Sequence, residues 1–313
     1  MLAYAGRRLA LGAAQVLAVA VLAFALVELL PGDAAVALAG DAPDPANIER
    51  IREQMRLDEP AHERLLHWLG GLLTGDLGDS LVSGRPVGGI IAAALEPTLV
   101  LAACTLVLLL PLAIGLGVLA ARRRDQWADR LITTASVAFY SVPEFALAIL
   151  LVSAFAIGLP WLPPTAVGVP SLLAEPAVLV LPLAVLLARP ICSICRLVRA
   201  GMIEALDSDY IAHIRRCGVP ERRIVLAHAL PNAVTPAVAQ IARTVDWLLG
   251  GVIVVEAVFV IPGLGTALVN AVNARDLPVV QGVAVVFGIT TVTVNLLADL
   301  VAFRLAPRLE VAR

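Results

Sequence analysis

Six stretches of this chain are apolar for 18 residues or more, long enough for each to cross a lipid bilayer as a helix. They run over about Leu9–Leu30, Thr98–Ala121, Leu131–Leu159, Ala177–Val198, Pro236–Val260 and Val279–Phe303. Hydrocarbon offers backbone amides no partner, so such spans must close their hydrogen bonds internally, as helices do. The expected fold is therefore all-α and polytopic, with six transmembrane helices. Only 15% of the 313 residues are charged, against about 25% in soluble domains.

Arginine supplies all 23 basic residues, and lysine is absent. A phosphate-binding loop of the G-x-x-x-x-G-K-[ST] type needs a lysine to reach the phosphates. The chain cannot carry one, nor form a lysine Schiff base. Cys192 and Cys195 read C-x-x-C, a spacing used in redox and metal sites. Both lie in an apolar run with no histidine nearby, so they are read as small buried hydrophobes. The N-terminal run follows Arg7 and Arg8 and is about 20 residues long. That exceeds the h-region of a secretory signal, so a first membrane helix is expected.

Cytoplasmic loops of membrane proteins collect positive charge. Arg7 and Arg8 precede the first run, and "RRRDQWADR" holds Arg122, Arg123, Arg124 and Arg130. The polar stretch after the fourth run and its flanks add Arg199, Arg215, Arg216, Arg222 and Arg223, and the tail adds Arg304, Arg308 and Arg313. Leu159–Pro176 has no arginine and Ile261–Pro278 only Arg275. Both termini are therefore expected in the cytosol. The long external loop, residues 31–97, has five arginines against eleven acids. "DPANIERIREQMRL" repeats Ile48, Ile51 and Met55 at helical spacing, and Pro60 suits a first helical turn. The loop reads as a small helical subdomain on the membrane surface, ending in the turn-rich "TGDLGDSLVSGRP".

Ionisable groups at membrane depth cost about 2.5–3.5 kcal/mol on insertion scales and call for a reason. Glu144, Arg189, Asp246, Glu256 and Asp299 are the candidates. Arg189 and Asp299 are expected to snorkel from cytosolic ends. Glu144 follows Pro143, whose missing N–H frees a carbonyl and can kink the helix; it is the leading residue for a translocation pathway, with Asp246 next. Glu256 divides between a structural hydrogen bond and substrate contact. No histidine lies within a span, so a metal site is not expected. Histidine, serine and acid groups fall on opposite membrane faces, so no hydrolytic triad assembles and the chain is not expected to be an enzyme.

The segment "EALDSDYIAHIRRCGVPERRIVLAHALPN", Glu204–Asn232, is too polar and too patterned for a tether. Asp207, Ser208 and Asp209 can N-cap a helix. Tyr210, Ile211, Ile214 and Cys217 then recur on one face. Gly218 stops that helix and Pro220 opens another. Three readings remain open on spacing alone. It is a hairpin on lipid headgroups, the gate of a self-sufficient channel or secondary transporter, or a docking helix whose apolar stripe another protein's groove completes.

This segment resembles the cytoplasmic motif of binding-protein-dependent ABC importer permeases, an E-A pair followed by a short helix and a glycine. The chain further resembles the B-type permease of the dipeptide, oligopeptide and nickel importers. The likeness runs through "LPGD" (Leu30–Asp33), "RLDEP" (Arg56–Pro60), "GDLGDS" (Gly75–Ser80) and "SVPEF" (Ser141–Phe145). It continues through "RLVRAGMIEAL" (Arg196–Leu206), "VEAVFVIPGLG" (Val255–Gly265), "RDLPVVQG" (Arg275–Gly282) and "NLLAD" (Asn295–Asp299). The resemblance implies a type I importer permease: residues 1–30 a first helix, 31–97 an external loop, 98–304 a five-helix core, 305–313 a tail. Segment 204–235 would hold a coupling helix seated in a separate ATP-binding subunit. It implies coupling roles for Glu204, Ala205, Asp209, Tyr210, Ile211, Ile214 and Gly218; His228 and Asn232 also match the motif. Ile214 and Arg216 stand where the family usually has small alanines, Cys217 where it has a basic residue, and Ala306-Pro307-Arg308 replaces D-P-R. The implied partners are a second, paralogous permease, two ATP-binding subunits carrying ATP and Mg, an extracytoplasmic substrate-binding protein and the bilayer, with no nucleic acid. The implied site is the bacterial inner membrane. Peptides are the expected cargo; nickel chelates or another small solute, and a stand-alone secondary transporter, are the alternatives.

Overall fold

The computed structural model describes residues 2–28, 34–39, 44–169 and 171–305. For some residues within its helices, Asp246 and Asp299 among them, the side chain lies outside that description. In chain order the helices begin with α1 (Leu2–Glu28), α2 (Ala34–Ala39), α3 (Pro45–Gln54), α4 (Ala61–Thr74) and α5 (Val87–Arg122). Then come α6 (Trp127–Ser141), α7 (Glu144–Val152) with a π-helical turn at Ser153–Gly158, and α8 (Ala177–Leu206). The polar segment gives α9 (Asp209–Arg216), α10 (Glu221–Arg223), a π-helical turn at Ile224–Ala229 and α11 (Leu230–Ala233). The chain continues as α12 (Thr235–Phe259), α13 (Leu264–Asn273) and α14 (Leu277–Leu305). Among the described residues no sheet forms; Asp79 and Pro86 make an isolated bridge.

Four helical stretches are long and apolar enough to span a membrane unaided: Arg8–Leu26, Val87–Arg122, Ala177–Leu206 and Leu277–Leu296. Counting each bent pair as one span raises the number to as many as seven, a range that holds the expected six. The third apolar run is not the single span its length suggested. It breaks between α6 and α7, and the two arms diverge by 105°. Pro143 explains the break, because it has no N–H to donate and forces the residue before it out of helical geometry. Val142 is accordingly extended, with φ −85° and ψ 127°.

The chain divides into two compact units. One comprises Met1–Thr98 and Ile261–Leu296. Its core joins Val87, Ile91 and Ala94 of α5 to Leu264 and Ala271 of α13 and Val279 and Val283 of α14. The described part of residues 31–97 is helical where its spacing predicts: Asp44 caps α3 by accepting from the Ala46 amide at 3.3 Å. Ile51 of α3 is buried with Ala35 and Leu81, and Ile48, Met55 and Leu277 pack against them. The turn-rich stretch is ordered by its own backbone, with Ser80 N donating to Arg85 O at 3.0 Å and Val87 N to Gly78 O at 2.9 Å. Two distant motifs meet here. Buried Asp276, from "RDLP", accepts the Ser80 hydroxyl and the Leu81 amide of "GDSL". Thr98 likewise accepts from the Leu264 amide at 2.9 Å, capping α13 across 166 positions.

The other unit comprises Leu99–Val260 and Leu297–Arg313. Its core gathers Leu109 and Ala113 of α5, Ile194, Val198 and Met202 of α8, Ile211 of α9, and Ile224, Ala229 and Ala233 beyond the turn. Burying such side chains stabilises by about 1.5–3 kcal/mol each where water is the alternative. Where lipid is the alternative, close packing carries the gain.

Candidate functional site

The polar segment folds onto the base of α8. Ser208 occupies the N-cap position of α9 with φ −76° and ψ 152°, yet makes no side-chain cap. Its hydroxyl donates back to Ala205 O instead, which corrects the expected capping role. Asp209, in the first turn, still suits the positive end of the helix. Ile211 is fully buried, and Ile214 is partly buried against the same cluster; Ala205, 7% exposed, belongs to it. Of the apolar stripe expected to await another protein, Ile211 and Ile214 are thus covered by this chain, while Tyr210 and Cys217 are not. Leu206, Val219 and the π-helical turn supply the cover, because the chain reverses at Gly218 and returns beneath α9. Glu204, Asp209, Tyr210, His213, Arg216 and Cys217 remain exposed.

The reversal is braced. Gly218 has φ +78°, a left-handed conformation that glycine adopts without strain. Arg215 closes the turn with a two-pronged ion pair to Glu221, at 3.0 and 3.2 Å. The hydrogen bonds from Arg215 hold the Glu221 carboxyl below its ordinary pKa. The Tyr210 hydroxyl donates to His228 O at 3.2 Å and accepts from Asn232 Nδ2 at 2.9 Å. Three residues matching the importer motif are thus tied to one another. Behind them Gly201 lets α8 approach α11 closely: a Cβ there would collide with the Ala233 backbone.

One ion pair escaped the sequence reading. Asp129 of α6, with a side chain 4% exposed, receives Arg199 of α8 at 2.6 and 2.7 Å. Asp125 N adds a bond at 3.0 Å. Both residues sit beside arginine-rich stretches, where each looks like one more loop charge. The signal available was an acid in the first turn of a helix amid four arginines.

At span depth the structure brings two candidates together. Glu144, the first residue of α7, lies 3.5 Å from Arg189 of α8, whose guanidinium sits 5.0 Å from the Tyr140 ring centre. Arg189, expected near the end of its run, lies well inside α8. The helix continues to Leu206, leaving Arg189 about 26 Å along the axis from that end. A cavity of about 290 Å³ opens beside it, lined by Tyr140, Arg189, Ser193, Gln240, Arg243 and Trp247 among others. Arg243 was not among the residues singled out from sequence. The Asp246 side chain lies outside the described residues. Glu256 is fully buried and not without a partner, so it offers cargo no surface in this conformation. Cys192 and Cys195 are buried free thiols, and Cys217 is an exposed one.

The comparisons with known proteins agree with this architecture. Residues 113–311 match the family described as binding-protein-dependent transport system inner membrane component, and residues 1–102 match the family of the N-terminal part of that system's membrane component. A protein of Brucella abortus, provisionally named a peptide transport system permease, is 38% identical over 308 residues, covering 97% of this chain and 98% of the relative. The glutathione transport system permease protein GsiC of Escherichia coli is 38% identical over 292 residues, covering 93% and 94%. With matches over nearly its whole length and a helical membrane fold, the chain belongs to the family of inner-membrane permease components of binding-protein-dependent ABC importers.

Proposed function

We propose that this chain forms half of the passage of an ATP-driven importer for peptides, and that α9 is its coupling helix. The observation that carries the reading is the geometry of α9. Its apolar side is anchored in the permease's own core through Ile211, and its polar side stays exposed above a turn held by Gly218 and the Arg215–Glu221 pair. A helix so mounted acts as a lever. Force on the exposed face passes through Ile211 to α8, and across the Gly201 approach to α11.

The force comes from elsewhere. This chain has no lysine and so no phosphate-binding loop of the lysine type. ATP and Mg reside on two separate ATP-binding subunits, whose closure moves α9 and drives alternating access. A second permease chain completes the passage, and an extracytoplasmic binding protein delivers cargo. Glu204, Asp209, Tyr210, His213 and Arg216 form the docking face, while Ala205, Ile211, Ile214 and Gly218 hold and shape it. The arginine distribution supports cytosolic termini. Peptide as cargo is supported by the relatives' names, glutathione being itself a tripeptide. Glu144 lines the route, with Asp246 the next candidate; Glu256 acts structurally.

Cys217 supplies the test. It is an exposed thiol at the end of α9, whereas Cys192 and Cys195 are buried. In membranes holding the assembled transporter, a short thiol-to-amine cross-linker on Cys217 should capture the ATP-binding subunit, and Cys217→Ser should abolish capture. Cross-links to lipid or to this chain alone would remove the coupling role.

A further inference from the structure

Arg189 and Arg243 line one cavity together with Tyr140 and Trp247. A guanidinium at span depth is costly unless it is partnered or used. Arg189 has Glu144 at 3.5 Å. Arg243, by contrast, has among the described residues only the neutral Gln240 amide, reached at 2.8 and 3.3 Å. That side-chain oxygen takes two of the five guanidinium donors and orients the fork, leaving three donors for another acceptor. The described lining thus carries two cations, with one carboxylate beside them. Ser193 and Gln240 add polar groups, and Tyr140 and Trp247 add aromatic surface.

We propose that this cavity is a subsite of the passage that receives the carboxylate of the cargo, with Arg243 as its principal ligand and Arg189 as the second cation. The inference rests on the peptide-importer reading and adds to it the group that is gripped. A guanidinium fork binds a carboxylate through two parallel bonds, and aromatic faces suit the chain behind it. The pairing of Arg189 with Glu144 lowers the positive charge by one, which keeps the grip weak enough for cargo to leave, as any conducting site requires.

Ser193 lines the cavity and provides a reporter. In a Cys217→Ser background, the Ser193→Cys variant of the assembled transporter is placed in nanodiscs. It is then treated with the anionic sulfonatoethyl or the cationic trimethylammonioethyl methanethiosulfonate. Normalised to its rate with a free thiol, the anionic reagent should react about tenfold faster, a difference of about 1.4 kcal/mol between the two reagents. Arg243→Gln should bring the ratio towards one, and Arg243→Lys should keep most of it. Tri-alanine should protect the thiol, and tri-alanine amide should not. Equal normalised rates for the two reagents, or equal protection by acid and amide, would overturn the subsite. Protection by phosphatidylglycerol nanodiscs without peptide would make it a headgroup site and overturn it equally. Capture through Cys217 is scored on the parent protein, so intact capture with no charge bias removes this subsite and leaves the importer reading standing.

Discussion

Asp129 and Arg199 are joined by two parallel bonds at 2.6 and 2.7 Å, the acid almost wholly enclosed and the Arg199 side chain 28% exposed. Replacing one member of such a pair strands the other, which costs about 3–5 kcal/mol when both are buried. The partial exposure of Arg199 favours the low end. Asp129→Asn should therefore lower the stability of the solubilised protein by roughly 3 kcal/mol, read as an earlier thermal unfolding midpoint. Asp129→Leu with Arg199→Met should recover most of that loss, because no charge is then left without its partner. Val260 is another residue with a local cost. This β-branched side chain sits at φ +54° where α12 ends, a conformation that strains it.

Among the elements, α9 is the one whose role changed once its surroundings were known. Its periodicity marks an apolar stripe correctly, but the stripe points into the chain's own cluster through Ile211. In the coupling-helix proposal the buried part of the stripe is then a mounting, and the exposed face is the surface left for docking. Ile211→Ala should cost about 2–5 kcal/mol of local packing and loosen the mount. The expected result is ATP hydrolysis still stimulated by the binding protein, with uptake per ATP reduced several-fold at normal membrane levels. Uptake and hydrolysis falling together would mean the helix no longer docks at all. The bend between α6 and α7 is a second element-scale feature. It puts Glu144 at a helix start facing Arg189, where a continuous helix would have carried the carboxylate elsewhere.

For the whole molecule, arginine placement makes a topological prediction. A fluorescent protein fused to the C-terminus should fold and fluoresce in the cytosol. Alkaline phosphatase inserted between Thr74 and Gly75 should be active, because that enzyme matures only outside the cytoplasm. The reverse pattern would invert the molecule and remove α9 from the side where ATP is found.

The six apolar runs and the ordered series of importer motifs were enough to read a helical permease of the importer family, and the missing lysine to exclude a phosphate-binding loop of the lysine type. Those features are local or additive: hydropathy sums along a segment, and a residue type is present or absent. Helix α3 was legible for the same reason, since Ile48, Ile51 and Met55 record their own spacing. Only the tertiary structure decided which distant groups meet. Asp129 found Arg199 across 70 positions and Ser80 found Asp276 across 196, while Arg243 came to share a cavity with Arg189. Nothing in the spacing of such residues encodes their partners, because an ion pair or a cap depends on how helices pack. Packing is settled by close approaches such as that of Gly201 to Ala233, which depend on the full surfaces of both elements.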